Sequence, residues 1–103
     1  MDKREIIEKV QDYANVVRER FDYKKIILFG SYAKDNFNDN SDIDIAVVFA
    51  DYDNRMDRQF ELMKLTRNID SRIEPHPFRE NEFEMSDPLV NEILKYGQEI
   101  LSF

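Results

Sequence analysis

The stretch from Leu28 to Val48, LFGSYAKDNFNDNSDIDIAVV, constrains this chain more than any other part of it. A hydrophobic run ends in Gly30-Ser31. Ten residues later Asp42-Ile43-Asp44 opens a second hydrophobic run that reaches Phe49. The first run reads as a buried strand, Lys25 to Phe29, and Gly30 is expected to turn the chain into a short helix from Ser31 to about Lys34. Free backbone N–H groups there, with the Ser31 hydroxyl, can hold phosphate oxygens. Strand side chains at i and i+2 share a face, so Asp42 and Asp44 should project together. Paired carboxylates beside a phosphate cradle suit Mg²⁺ or Mn²⁺ and a nucleoside triphosphate.

This arrangement, Gly-Ser, ten residues, then Asp-x-Asp between two strands, resembles the signature of the DNA polymerase β-type nucleotidyltransferase superfamily. In size the chain is similar to the minimal nucleotidyltransferases of bacteria and archaea. The family often carries Ala-Arg-Gly one residue after the Gly-Ser pair, where this chain has Ala33-Lys34-Asp35. Lys34 keeps a cation there, and the second glycine is lost. The fold implied is α/β of the α+β type, a small mixed sheet flanked by helices. The activity implied is metal-dependent transfer of a nucleoside monophosphate, AMP being expected, from an NTP such as ATP to an acceptor hydroxyl.

With 103 residues the chain is expected to form one domain, residues 1–103. Such a chain buries only about two-thirds of its unfolded surface, which leaves little room for a separate acceptor-binding domain. A hydrophobic content of 42% with 13% aromatics suits a packed core. The net charge of -7 without a basic patch argues against nucleic acid as the main partner. An acidic protein still accommodates ATP when metal ions carry compensating charge. There is no Cys, hence no disulfide and no thiolate metal site. The charged first twenty residues do not resemble a signal peptide, and no apolar run approaches the roughly 18 residues of a membrane span. A cytoplasmic location is therefore expected.

Along the chain, Asp2 with Glu5 three residues on reads as a capping arrangement for a helix from about Lys3 to Arg20. Ile6, Val10, Tyr13 and Val17 mark its buried stripe. A second strand should begin near Asp42 and run to Phe49; being apolar on both faces, it should lie centrally in the sheet. A helix from about Arg55 to Asn68 follows, with Met56, Phe60 and Met63 along one side and Leu62 and Leu65 on another, so it is covered twice or meets a partner. Ile69 to Glu74 reads as the third strand, halted by Pro75 and Pro77, before a loop holding Phe78 and Phe83. Ser86 or Asp87 should cap a last helix with Pro88 in its first turn and Gly97 just past its end. Glu99 to Phe103 is expected to add an edge strand. Tyr13, Phe21, Phe60 and Phe83 are read as core.

A third carboxylate would complete the metal site. Alternation along the third strand puts Asp70, Arg72 and Glu74 on one face, and Glu74 is preferred. It ends the strand after Ile73, and the family pattern of an apolar residue followed by an acid matches Ile73-Glu74. Three carboxylates gathered together repel strongly. Two unit charges 4 Å apart cost about 4 kcal/mol at an effective dielectric near 20, against a total stability of about 5–15 kcal/mol for a small domain. Metal ions or protons must relieve that repulsion. The expected metal ligands and catalytic groups are thus Asp42, Asp44 and Glu74, with Gly30, Ser31 and Lys34 toward the nucleotide. Arg72 is a further candidate phosphate contact. His76, the only histidine, follows Glu74 and could approach the nucleotide or the acceptor, but a lone histidine between two prolines reads first as a partly exposed loop residue.

The resemblance further implies a partner. Minimal nucleotidyltransferases commonly pair with a small helical HEPN-type protein as antitoxin and toxin, and the antitoxin nucleotidylates a toxin tyrosine. Two other readings remain: a module that neutralises a partner by binding alone, and an adenylyltransferase of small molecules such as antibiotics. The latter usually carries an extra helical domain, which a homodimer would have to replace.

Overall fold

The Asp2 carboxylate accepts a hydrogen bond from the Glu5 amide at 2.9 Å and so starts the first helix, α1, Lys3–Arg20, where its capping residues predict it. The computed structural model, which describes residues 2–101, continues with β1 (Lys25–Phe29), β2 (Ile43–Phe49) and α2 (Arg55–Lys64). After these come β3 (Ile73–Arg79), a short 3₁₀ turn, α3 (Pro88–Tyr96) and β4 (Gln98–Ile100). The sheet order is β3-β2-β1-β4. β1 is antiparallel to both β2 and β4, and β3 is parallel to β2, so the sheet is mixed and flanked by helices.

β2 is central, as its two apolar faces require. Ile43, Ile45, Val47 and Phe49 pack on one side with Ile26, Leu28 and the α1 stripe of Ile6, Val10, Tyr13 and Val17. Ala46 and Val48 pack on the other with Ile27, Phe29, Phe78 and the α3 residues Val90 and Ile93. The Tyr13 hydroxyl, buried in the first cluster, donates to the Leu62 carbonyl at 2.7 Å and ties α1 to α2. Burial pushes its phenol well above the ordinary range.

The third strand departs most from expectation. It runs from Ile73 to Arg79, through Pro75 and Pro77, instead of ending before them. The reason lies in the edge position. The Ile43 amide donates to the Arg72 carbonyl at 2.8 Å, so even-numbered residues of β3 turn their backbone groups toward β2. Pro75 and Pro77 then face the open edge, where a missing N–H breaks no ladder bond. Their carbonyls are satisfied by the Gln59 side chain and the Tyr52 hydroxyl, each at 3.3 Å. Phe78 accordingly lies in the strand and not in a loop.

Other boundaries move less. α2 stops at Lys64, short of Asn68, because the buried Thr66 hydroxyl donates back to the Met63 carbonyl at 2.8 Å and the chain closes in tight turns. Asp42 lies one residue before β2 instead of within it. β4 is shorter than Glu99 to Phe103, of which Ser102 and Phe103 lie outside the described residues. Phe60, read as core, is 61% exposed, whereas Leu62 is the α2 residue that is buried. Gly97 ends α3 in an extended conformation. It must be glycine because a Cβ would run into the Ile93 carbonyl and lie 2.6 Å from Ile27 Cγ2.

Candidate active site

The carboxyl end of β1 and the start of β2 meet at one rim of the sheet. Gly30 follows β1 with φ at +76°, a conformation that glycine adopts without strain. The chain then makes one coil and not a helix. The Lys34 amide donates to the Gly30 carbonyl and the Asn36 amide to the Ser31 carbonyl, both at 3.1 Å. Asp35, at φ 61°, closes the coil in the position where the family pattern has a glycine. Aspartate is among the few residues with a side chain that tolerate the left-handed region. Tyr32 and Phe37 stack with ring centroids 4.4 Å apart and pin the following loop to the core, which sets the approach of Asp42.

Strand register brings the acids together. Asp44 lies beside Phe29 of β1 and Glu74 of β3. Glu74 and His76, two apart on β3, share the Asp44 face of the sheet. One ligand atom from each of Asp44, Glu74 and His76 falls within 4.8 Å of the others. His76 Nε2 is 3.3 Å from Asp44 Oδ1, and its ring lies 5.3 Å from the Phe29 ring. The Asp44 carboxylate also borders Gly30 so closely that a Cβ there would sit 2.6 Å from Asp44 Oδ2. This approach is a second reason for glycine at the turn.

Burial raises the Glu74 carboxyl above its ordinary pKa; nearby His76 opposes the rise, while Asp44 and Asp42 add to it. Asp44 stands opposite Glu74 in the register and Asp42 lines one groove with Glu74, so the three expected acids share this rim. Asp70, the other acid considered, lies elsewhere. Its carboxylate accepts from the Arg72 Nη2 at 2.8 Å and lies 3.5 Å from the Lys9 ammonium. Those bonds hold its pKa down at about 2.

A testable consequence concerns the metal-free protein. A group whose folded-state pKa is raised favours folding while protonated and loses that contribution as pH rises through the folded pKa. Glu74→Gln should therefore leave the apo protein equally stable or more stable than the parent at pH 7, with the advantage vanishing on acidification below the carboxylate range. Thermal melts at pH 4 and pH 7 without divalent ions measure it; a variant destabilised at pH 7 would contradict this electrostatic reading.

Lys34 is engaged by α3. Its ammonium pairs with Glu92 of α3 and lies 5.2 Å from the centre of the Tyr96 ring. Arg72 is bonded to Asp70, the Tyr32 hydroxyl and the Asp39 carbonyl. His76, read from the sequence as a partly exposed loop residue, lies instead within β3 beside Asp44. The signal available was its i+2 spacing from Glu74, which counts only once the strand is known to continue through the prolines.

On the far side of β3 from Gly30, a groove of about 360 Å³ opens between α2 and the start of the strand. Asp42, Phe60, Met63, Arg72, Ile73 and Glu74 are among its lining residues. Met56 and Phe60, 80% and 61% exposed, make this an uncovered apolar surface adjoining the acids. Among the described residues no helix is long and apolar enough to cross a membrane.

Known proteins share this architecture. The chain superposes on a "putative nucleotidyltransferase" from Sulfolobus solfataricus with a TM-score of 0.71 at 20% identity, covering 97% of this chain and 83% of that one. It also matches a tri-AMPylated Shewanella oneidensis HEPN toxin in complex with its MNT antitoxin, with a TM-score of 0.61 at 21% identity over 98% of this chain and 73% of that one. A curated relative, the "Putative protein adenylyltransferase" of Methanocaldococcus jannaschii, is 42% identical over 41 residues. That stretch is 38% of this chain and spans less than half, 41%, of the relative. A sequence model of the family described as Polymerase beta, Nucleotidyltransferase matches residues 8–102. Matched over nearly its whole length, the chain belongs to the polymerase beta nucleotidyltransferase family.

Proposed function

We propose that this protein transfers a nucleoside monophosphate, AMP from ATP, to a hydroxyl of a helical HEPN-type partner, in the manner of an antitoxin acting on its toxin. The observation that carries the reading is that Asp44 stands opposite Glu74, with Asp42 beside Glu74 in the adjoining groove, at the sheet rim where Gly30 turns the chain. The donor set fits a hard divalent ion, Mg²⁺ or Mn²⁺, which needs oxygen ligands and accessible carboxylates. Asp42, Asp44 and Glu74 would hold it. A bound ion of this kind polarises phosphoryl oxygens and lowers the pKa of an attacking hydroxyl.

The residues of the chain divide the remaining work. Gly30 and Ser31 present backbone and hydroxyl groups to the β- and γ-phosphates, and Lys34 joins them if it exchanges Glu92 for phosphate. The acceptor oxygen forms a bond to the α-phosphorus as the bond to the bridging oxygen breaks, and pyrophosphate leaves. Glu74, placed beside Asp44 at the rim, takes the acceptor proton. Attack and departure lie in line. With pyrophosphate over Gly30 on the β1 side, the acceptor must approach from the β3 side, where the apolar groove adjoins Asp42 and Glu74. A macromolecular acceptor bearing apolar side chains around its hydroxyl matches that surface, and a tyrosine segment does so best. Similar structures support the reading: one holds a tri-AMPylated HEPN toxin with its MNT antitoxin, and another a toxin–antitoxin pair with AMP-PNP.

The test is mass spectrometry of the cognate helical partner after incubation with Mg-ATP and this protein. We expect adenylyl mass on a partner Tyr, Ser or Thr, and slow ATP turnover without the partner. A tight complex lacking added mass, while ATP demonstrably binds, would instead establish neutralisation by binding alone. Efficient modification of a free aminoglycoside would move the assignment to small molecules.

A further inference from the structure

We propose that His76 is a nitrogen ligand of the divalent ion held by Asp44 and Glu74, so that this position selects a first-row transition ion such as Mn²⁺ over Mg²⁺. The inference rests on the metal-dependent reading above and adds a ligand to it. Three observations support it independently of composition. Parallel pairing puts Asp44 opposite Glu74 and Ala46 opposite His76, so the imidazole stands one rung further into the sheet on the face of the acids. All three residues present a ligand atom within a 4.8 Å span, and Nε2 lies 3.3 Å from Asp44 Oδ1. Neighbouring ligands of an octahedral ion with bonds of roughly 2.1 Å lie about 3 Å apart, so this separation suits a shared ion.

The surroundings hold the ring in place. Pro75 and Pro77, with φ restricted by their rings, flank His76, and Phe29 backs the imidazole. His76 and Asp44 keep side-chain exposures of 22% and 27%, which leaves an ion a route to them. In the tautomer protonated at Nδ1, the Nε2 lone pair faces the space shared with the two carboxylates. Imidazole nitrogen is a favoured ligand for transition ions and a poor one for Mg²⁺, which takes oxygen. Replacing one oxygen position by nitrogen therefore shifts selectivity without removing the acids.

The experiment uses tag-free full-length protein loaded with Mn²⁺, with and without a non-hydrolysable ATP analogue, and pulsed electron paramagnetic resonance. Since His76 is the only histidine, labelling with ¹⁵N-histidine makes the assignment unambiguous. We expect ¹⁵N coupling to the bound Mn²⁺, its loss in His76→Gln, a fall of about tenfold or more in Mn²⁺ affinity in that variant, and Mg²⁺ affinity changed by less than about twofold. Bound Mn²⁺ without ¹⁵N coupling would overturn the ligand assignment while leaving the metal reading intact. An equal loss of Mn²⁺ and Mg²⁺ affinity in His76→Gln would also overturn it, reducing His76 to a group that positions Asp44. Failure of the parent protein to bind Mn²⁺, with or without the analogue, would overturn both.

Discussion

Asp44→Asn should reduce nucleotidyl transfer to the partner by about a thousandfold or more, and Asp42→Asn by a similar factor, with the fold intact in both. The magnitude follows from the several kcal/mol that a bound ion contributes to charge stabilisation, at about 1.4 kcal/mol per tenfold in rate. Asp44 has the more central position, since it borders Gly30, Glu74 and His76 at once. Neither substitution removes a packed group: Asp42 is exposed and Asp44 half-buried. Losing one of the clustered charges also relieves repulsion, so the apo variants should melt at or slightly above the parent temperature. Glu74→Gln should lose most turnover yet retain much of the ATP affinity, because two carboxylates still serve the triphosphate-bound ion. Turnover assays with labelled ATP, paired with thermal melts, check all three; unchanged activity in both aspartate variants would refute the site.

Gly30→Ala should combine a stability loss with a larger functional loss. Its φ of +76° imposes roughly 1–2 kcal/mol on a residue with a Cβ. The new methyl would also lie 2.6 Å from Asp44 Oδ2, so the carboxylate must move. A displacement of about 1 Å in such a group costs on the order of a hundredfold in rate. Gly97→Ala supplies the contrast. There the Cβ meets the Ile93 backbone and the Ile27 side chain and none of the acids, so stability should fall while the specific activity of the folded fraction is preserved. Melting temperature and activity at a temperature where each variant is folded separate the two effects. A Gly30→Ala protein with full activity would show that Asp44 needs no fixed position.

Much of this architecture is local and therefore readable in the chain. Asp2 and the spacing of Ile6, Val10, Tyr13 and Val17 specify α1, because a cap and a helical stripe involve residues within a few positions of one another. The run before Gly30 and the two-sided apolar run after Asp44 specify β1 and the central β2 in the same way. The spacing of Gly30, Ser31, Asp42 and Asp44 needs only strand alternation and a turn to become a candidate site.

What the chain alone left open depends on which element lies beside which. Pro75 and Pro77 end a strand only when their missing N–H groups face a neighbouring strand; at the edge of this sheet they face none, and their carbonyls accept from Gln59 and Tyr52. That one fact carries His76 onto the face of Asp44 and Glu74. The same holds for Lys34, drawn to Glu92 across 58 positions of sequence, and for Met56 and Phe60, apolar at helical spacing yet uncovered. Helix capping and the apolar periodicity of helix and strand are decided by near neighbours and were written in the sequence. Pairing register, edge position and burial are decided by contacts between distant segments, and only the tertiary structure settled them.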